Sequence, residues 1–329
     1  MKRLFLAAAV AGVWLAACSR EPTAPSAPAS ITTVPATPEM MRFESDHPHA
    51  HVMLPKGFVR SAAKRSSTGI NYHGGPLFIN QTRIVAIYWS ASTIYNNGPA
   101  AGTTGTGSQD GSLIGAFLRK LGGSPYFNIN ATYFDGSGSK VQNVVSYTGF
   151  WAANSNVPVS GQKVSDAAVQ AQVVAGFTSG AITFDNSTLY VVFSGPGVNL
   201  GGGFGSQYCA YHGHFNSNGR DVKYAVMPYD ADFVSGCTAL SGSPNNDFAA
   251  AAEVNTLAHE TEETTTDEDL NAWYDQRGEE NADKCAWTFG QTYTTANGSV
   301  ANMNLGGNDY LVQRNWVNSG HGGCLVHFP

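Results

Sequence analysis

Apolar positions along the chain fall into a succession of strand-like and helix-like patterns. Arg83-Ile-Val-Ala-Ile-Tyr-Trp89 is a nearly continuous apolar run rich in β-branched residues and predicts a buried strand. Ser112–Leu121 carries apolar residues at 113, 114, 117, 118 and 121, the spacing of one helical face, and Gly122-Gly123 stops it. Val141–Trp151 predicts a second strand, and Val164–Phe177 an Ala/Val-rich helix with Ser165 placed to cap it. Leu189–Phe193 reads as a third buried strand, ended by a turn at Ser194-Gly-Pro-Gly197, and Val222–Met227 as a fourth. Asn246 to about Thr264 predicts a further helix, with Asn246 or Asp247 as the cap. Strands alternating with helices imply an α/β fold, a layered mixed sheet with helices. The Gly- and Asn-rich chain from Gly290 onward predicts a loop-rich C-terminal part made of hairpins and loops. No repeat of 20–50 residues is present, so a single folded domain over 66–329 is expected.

The N-terminus follows a different pattern. Met1-Lys2-Arg3 is followed by the apolar run Leu4–Leu15, too short to span a bilayer. Leu15-Ala16-Ala17-Cys18 resembles the lipobox of bacterial lipoproteins, which makes 1–18 a signal peptide and Cys18 the lipidated first residue. Ser19 favours outer-membrane retention by the same resemblance. Residues 19–65 hold seven of the 15 prolines among Ala, Ser and Thr, and predict an extended tether. Within it, His47-Pro-His-Ala-His51 alternates histidines; a solvated linker is the expected reading and a loosely held metal ion the alternative.

Composition narrows the function. Of 329 residues only 13% are charged, with 24 acids against 18 bases, which argues against a nucleic-acid partner. Seventeen Phe, 14 Tyr and six Trp exclude an acidic disordered chain. With Cys18 set aside, Cys209, Cys237, Cys285 and Cys324 form an even set, as in a disulfide-bonded exported protein. Three pairings are open; Cys209–Cys237 with Cys285–Cys324 is favoured because each closes a local loop.

The acids are unevenly spread. Eleven of the 24 lie between Glu253 and Asp283, opposed in that window by Arg277 alone. At its centre, His259-Glu260-Thr261-Glu262-Glu263 is an HExxE pattern on the predicted helix. His259 and Glu263, four apart, share one helix face and are placed to hold a metal ion, with Glu260 beside them as general base. Glu in place of the usual second His keeps a ligand at zinc distance, so zinc is the expected ion, while the added negative charge leans toward harder cations such as Mn or Ca and makes calcium the alternative. A third ligand is expected from Glu280 or Asp283 on a returning helix; spacing does not choose between them.

Several separated segments carry a family resemblance: Tyr72-His-Gly-Gly-Pro76, Ser194-Gly-Pro-Gly197, Ser206-Gln-Tyr-Cys-Ala-Tyr-His212-Gly213, His259-Glu260 with Glu263, Asp269–Asp275, Glu280–Cys285 and Asn315-Trp-Val317. Together they resemble the EXORDIUM, or phosphate-induced protein, family of plant cell walls and bacteria. The resemblance implies an extracytoplasmic protein but no settled reaction. The lipobox and Pro-rich tether depart from the plant pattern, so a signalling role is not carried over. The HExxE helix with Trp273–Cys285 also looks like a zincin-type peptidase site. His212, in a matched segment, is a candidate transition-state hydrogen-bond donor or extra ligand, against the plainer reading of a loop His held by a disulfide. His73 is read as structural. Two functions follow: a membrane-anchored or secreted metal-dependent hydrolase acting on a peptide, or a non-catalytic surface protein that binds glycan or another wall component around a structural ion.

Overall fold

Alternating side chains explain why the central strands are buried on both faces. In the computed structural model, which describes residues 34–60 and 69–329, seven strands form one mixed sheet: β1 (Ala50–Met53), β2 (Thr82–Trp89), β3 (Thr104–Thr106), β4 (Val145–Trp151), β5 (Thr188–Ser194), β6 (Ala210–Ser217) and β7 (Arg220–Met227). Their order is β1-β6-β7-β5-β2-β4-β3. The interior pairs β7·β5, β5·β2 and β2·β4 are parallel, while β1, β6 and β3 pair antiparallel at the two margins.

Along β2, Ile84, Ala86 and Tyr88 enter one core and Val85, Ile87 and Trp89 the other. The first core lies between the sheet and helices α2 (Leu113–Leu121) and α4 (Phe248–Thr266), and the second holds Val169 and Val173 of α3 (Asp166–Ser179). The result is an α/β/α sandwich. Polar side chains cap all three helices, Ser165 as expected and Asp247 rather than Asn246. Ser112 accepts from Gly115 N, Ser165 from Ala168 N and Asp247 from Ala250 N. Gly180, at φ +73°, closes α3 in the left-handed conformation.

Two differences from the sequence reading matter for function. The fold includes residues 34–60, part of the expected tether. A short helix α1 (Arg42–Asp46) seats Phe43 in the second core, and β1 adds an edge strand with all four residues buried. Prolines suggested an open chain, but Phe43, Val52, Met53 and Leu54 carry enough apolar surface to hold the segment down. The second difference is β6, which places His212 in the sheet rather than in a loop. Gly213 permits this edge pairing, since a Cβ there would stand 2.1 Å from the His49 carbonyl oxygen. The signal peptide with Cys18 and tether residues 19–33 and 61–65 lie outside the described residues.

Both favoured disulfides are present. Cys209–Cys237 ties the start of β6 to the chain leading to α4, and Cys285–Cys324 ties the acidic loop to the C-terminal hairpins. The tail forms two-stranded hairpins at 303–310 and 315–325, as its composition suggested. Such bonds fit an oxidising, extracytoplasmic environment. No helix among the described residues is long and apolar enough to cross a membrane.

Candidate metal centre

Helix α4 is unusual because nearly all of it is buried while a large share of it is polar. His259, Glu260, Glu262 and Glu263 are fully buried. Thr264 and Thr265 turn their hydroxyls back to the Glu260 and Thr261 carbonyls at 2.7 Å, so these side chains satisfy themselves locally. The histidine and carboxylates cannot, and their partners come from elsewhere in the fold.

The i, i+4 spacing does what the sequence pattern required. His259 Nε2 lies 3.1 Å from Glu263 Oε1 and 3.6 Å from Asp283 Oδ1. Asp283 donates its backbone N–H to Glu263 Oε1 at 3.0 Å. On the other side of the His259 ring, Gln313 Nε2 stands 3.0 Å from Nδ1 and directs Nε2 at the carboxylates. The same amide nitrogen donates to the Ala282 carbonyl at 3.0 Å and its oxygen accepts from Trp287 N at 3.4 Å, so Gln313 is held against the ring from both ends. Asp283 and Glu280 sit in a loop with one 3₁₀ turn, Asp283–Cys285, and not on the returning helix expected from spacing. Asn281 anchors that loop to α4 through the Glu262 carbonyl at 3.2 Å.

Both alternatives for the third ligand converge here. Asp283 groups with His259 and Glu263, whereas Glu280 groups with Glu263 and His51, each set within 4.8 Å of itself. His212 Nδ1 reaches Glu260 Oε2 at 2.9 Å and Glu263 Oε2 at 3.6 Å, and its Nε2 lies 3.7 Å from Glu280 Oε1. Five buried atoms at the cluster have no hydrogen-bond partner: His212 Nε2, His259 Nε2, Glu260 Oε1, Glu263 Oε2 and Glu280 Oε2. Such atoms are costly unless something bonds them.

Two residues, Arg60 and Glu44, escape the sequence reading, which places His51 in a solvated linker with a loosely held ion only as the alternative. His51 on β1 faces His212 directly across the strand pair, rings 5.6 Å apart, and its Nε2 is 2.8 Å from Asp283 Oδ2. Arg60 bonds Asp283 Oδ2 at 2.9 Å and Glu44 Oε2 at 2.8 Å. A signal for His51 was available: His49-Ala-His51 and His212-Gly-His214 share the i, i+2 spacing of strands and align in register. Arg60 and Glu44 carried none, since neither lies in a pattern.

The charges interact strongly. Burial pushes the Glu260 carboxyl well up, and Glu263 and Asp283 add to it; burial followed by Asp267 and Glu263 does the same to Glu280. Burial pushes the His212 imidazole well down, with His51 and His259 adding to the effect, so it is neutral and offers a lone pair. Burial also opposes ionisation of Asp283, but Arg60 and His51 outweigh it and hold this carboxyl far below the usual range. For His51, the carboxylates of Asp283 and Glu44 overcome burial and Arg60, and the imidazole is raised.

Other candidates resolve into structural roles. The His214, Asp221 and Asp269 group already holds a cation, because the Lys223 ammonium bonds both carboxylates. His73 stacks on Tyr274 with centroids 3.7 Å apart, and Gly197, at φ +74°, makes the Ser194–Gly197 segment a turn. A cavity of about 590 Å³ beside α1 is lined by none of the cluster residues. Comparison of the chain with protein-family profiles, curated proteins and solved structures finds no match.

Proposed function

We propose that this chain is an exported metal-dependent hydrolase of peptidase type, with a divalent ion, zinc by the donor set, held by His259 Nε2, Glu263 Oε1 and Asp283 Oδ1. One nitrogen and two carboxylate oxygens suit zinc and leave a further position for water. The observation that carries the reading is Glu260. Its Oε2 is engaged by His212, its buried Oε1 has no hydrogen-bond partner, and the residue groups with His212 and Glu263. A raised carboxyl there is suited to exchange a proton with bound water, which then attacks a polarised carbonyl. The zincin-like HExxE pattern suits this class, the EXORDIUM-like segments suit an extracytoplasmic protein, and the lipobox-like Leu15–Cys18 suits a lipid anchor at an outer membrane or cell surface. Glu260→Gln should keep the ion and abolish peptide hydrolysis; unchanged turnover overturns the reading.

A second reading rests on burial. No ligand side chain exceeds 6% exposure, whereas a catalytic ion needs an open position. On that reading the ion only holds α4, β6 and the 275–285 loop together in a surface protein that binds wall glycan. Chelation that lowers thermal stability while glycan binding survives, with no hydrolysis of any peptide, favours it.

A further inference from the structure

The cluster has more donors than one ion uses, and they are sorted into two sets that share Glu263. Oε1 of Glu263 belongs to the first set, fixed by Asp283 N at 3.0 Å and beside His259 Nε2 at 3.1 Å. Its Oε2 is buried without a hydrogen-bond partner. The second set is His51, Glu280 and Glu263, with ligand atoms within 4.8 Å of one another. His212 borders it, with Nε2 unpartnered and 3.7 Å from Glu280 Oε1, while its own ligand group is with Glu260 and Glu263. Glu260, 2.9 Å from His212 Nδ1, fixes that ring's tautomer as outer carboxylates do for metal-bound histidines.

Charge points the same way. Glu44, Glu260, Glu263, Glu280 and Asp283 stand together, and among the described residues Arg60 is the Lys or Arg side chain that ion-pairs within this set. The carboxylates outnumber the guanidinium that pairs with them, and Glu260 Oε1, Glu263 Oε2 and Glu280 Oε2 are left buried without a hydrogen-bond partner.

We infer that the centre is dinuclear: Glu263 bridges a first ion on His259 and Asp283 and a second ion on His51 and Glu280, with His212 beside it. The inference rests on the metal reading of the same residues and extends it to a second ion. A carboxylate bridge sets two ions about 3.5–4 Å apart, the separation at which both ions act on one substrate oxygen. Glu260 is then a positioning residue for His212 through Oε2, with Oε1 still free to take a proton. The N-terminal strand β1 completes the centre through His51.

The test is metal content of the complete chain by elemental analysis after loading with Mn(II), with electron paramagnetic resonance of the loaded protein. Two equivalents with a spin-coupled spectrum are expected, and His51→Ala should keep one equivalent with an uncoupled spectrum. One equivalent in the wild type, uncoupled at saturation, overturns the second ion and leaves the mononuclear reading standing. Two uncoupled equivalents overturn the bridge. No bound metal overturns both readings. Because the wild-type spectrum decides the question, misfolding of the variant does not.

Discussion

Replacing Arg60 with Ala tests whether residues 34–60 are structural members of the domain. The guanidinium donates to Asp283 Oδ2 at 2.9 Å, Glu44 Oε2 at 2.8 Å and the Val52 carbonyl at 2.7 Å. The Arg60 and Asp283 side chains are only 5% and 6% exposed, so solvent screens the pair weakly. Removing one partner of such a buried pair leaves an uncompensated carboxylate and costs about 3–5 kcal/mol. At about 2–4 °C per kcal/mol for a domain of this size, Tm should fall by roughly 6–20 °C. The acid limb should change as well. Asp283 is depressed by Arg60, so its contribution is present above the ordinary Asp value and is lost as pH falls through its lower folded value. Arg60→Ala raises that folded value and removes the contribution. The assay is urea unfolding of wild type, Arg60→Ala, Glu44→Gln and the double variant across pH. A loss below about 1 kcal/mol, with no coupling in the cycle, refutes the reasoning and returns the segment to a tether.

Other predictions address the centre and its supports. Glu260→Gln should retain bound metal and lower kcat by about 10²–10⁴-fold, read from hydrolysis of a peptide library beside elemental analysis. Chelation should lower the unfolding free energy by about 4 kcal/mol relative to protein held at a thousandfold excess of metal over Kd; an unchanged calorimetric Tm counts against any bound ion. Glu253, buried against Asp230, is pushed up to about 8 by burial. Its stabilisation is complete below the ordinary Glu value and is lost as pH rises toward 8, at about 1.4 kcal/mol per pH unit. Glu253→Gln should remove that slope, and an unaltered pH–stability profile would contradict the assignment. Opening Cys285–Cys324, which spans 39 residues, should cost about 4 kcal/mol in denaturant unfolding.

The sequence by itself determined the layered α/β class, the cap at Ser165 and the i, i+4 face of His259 and Glu263, and it favoured the local disulfide pairing. Each follows from interactions within a few residues or from loop length, so spacing carries the information. Glu280 and Asp283 were legible as alternatives only, because a loop's path is set by what it packs on; here Asn281 on α4 and the Cys285 disulfide bring both inward. Only the tertiary structure decided that His51 and His212 meet. They are far apart in sequence, and the pairing depends on β1 joining β6 in one register over Gly213. A strand's partner is chosen by hydrogen bonding and burial across the whole sheet. The same chain of histidines and prolines that reads as a solvated linker therefore becomes one wall of the carboxylate cluster.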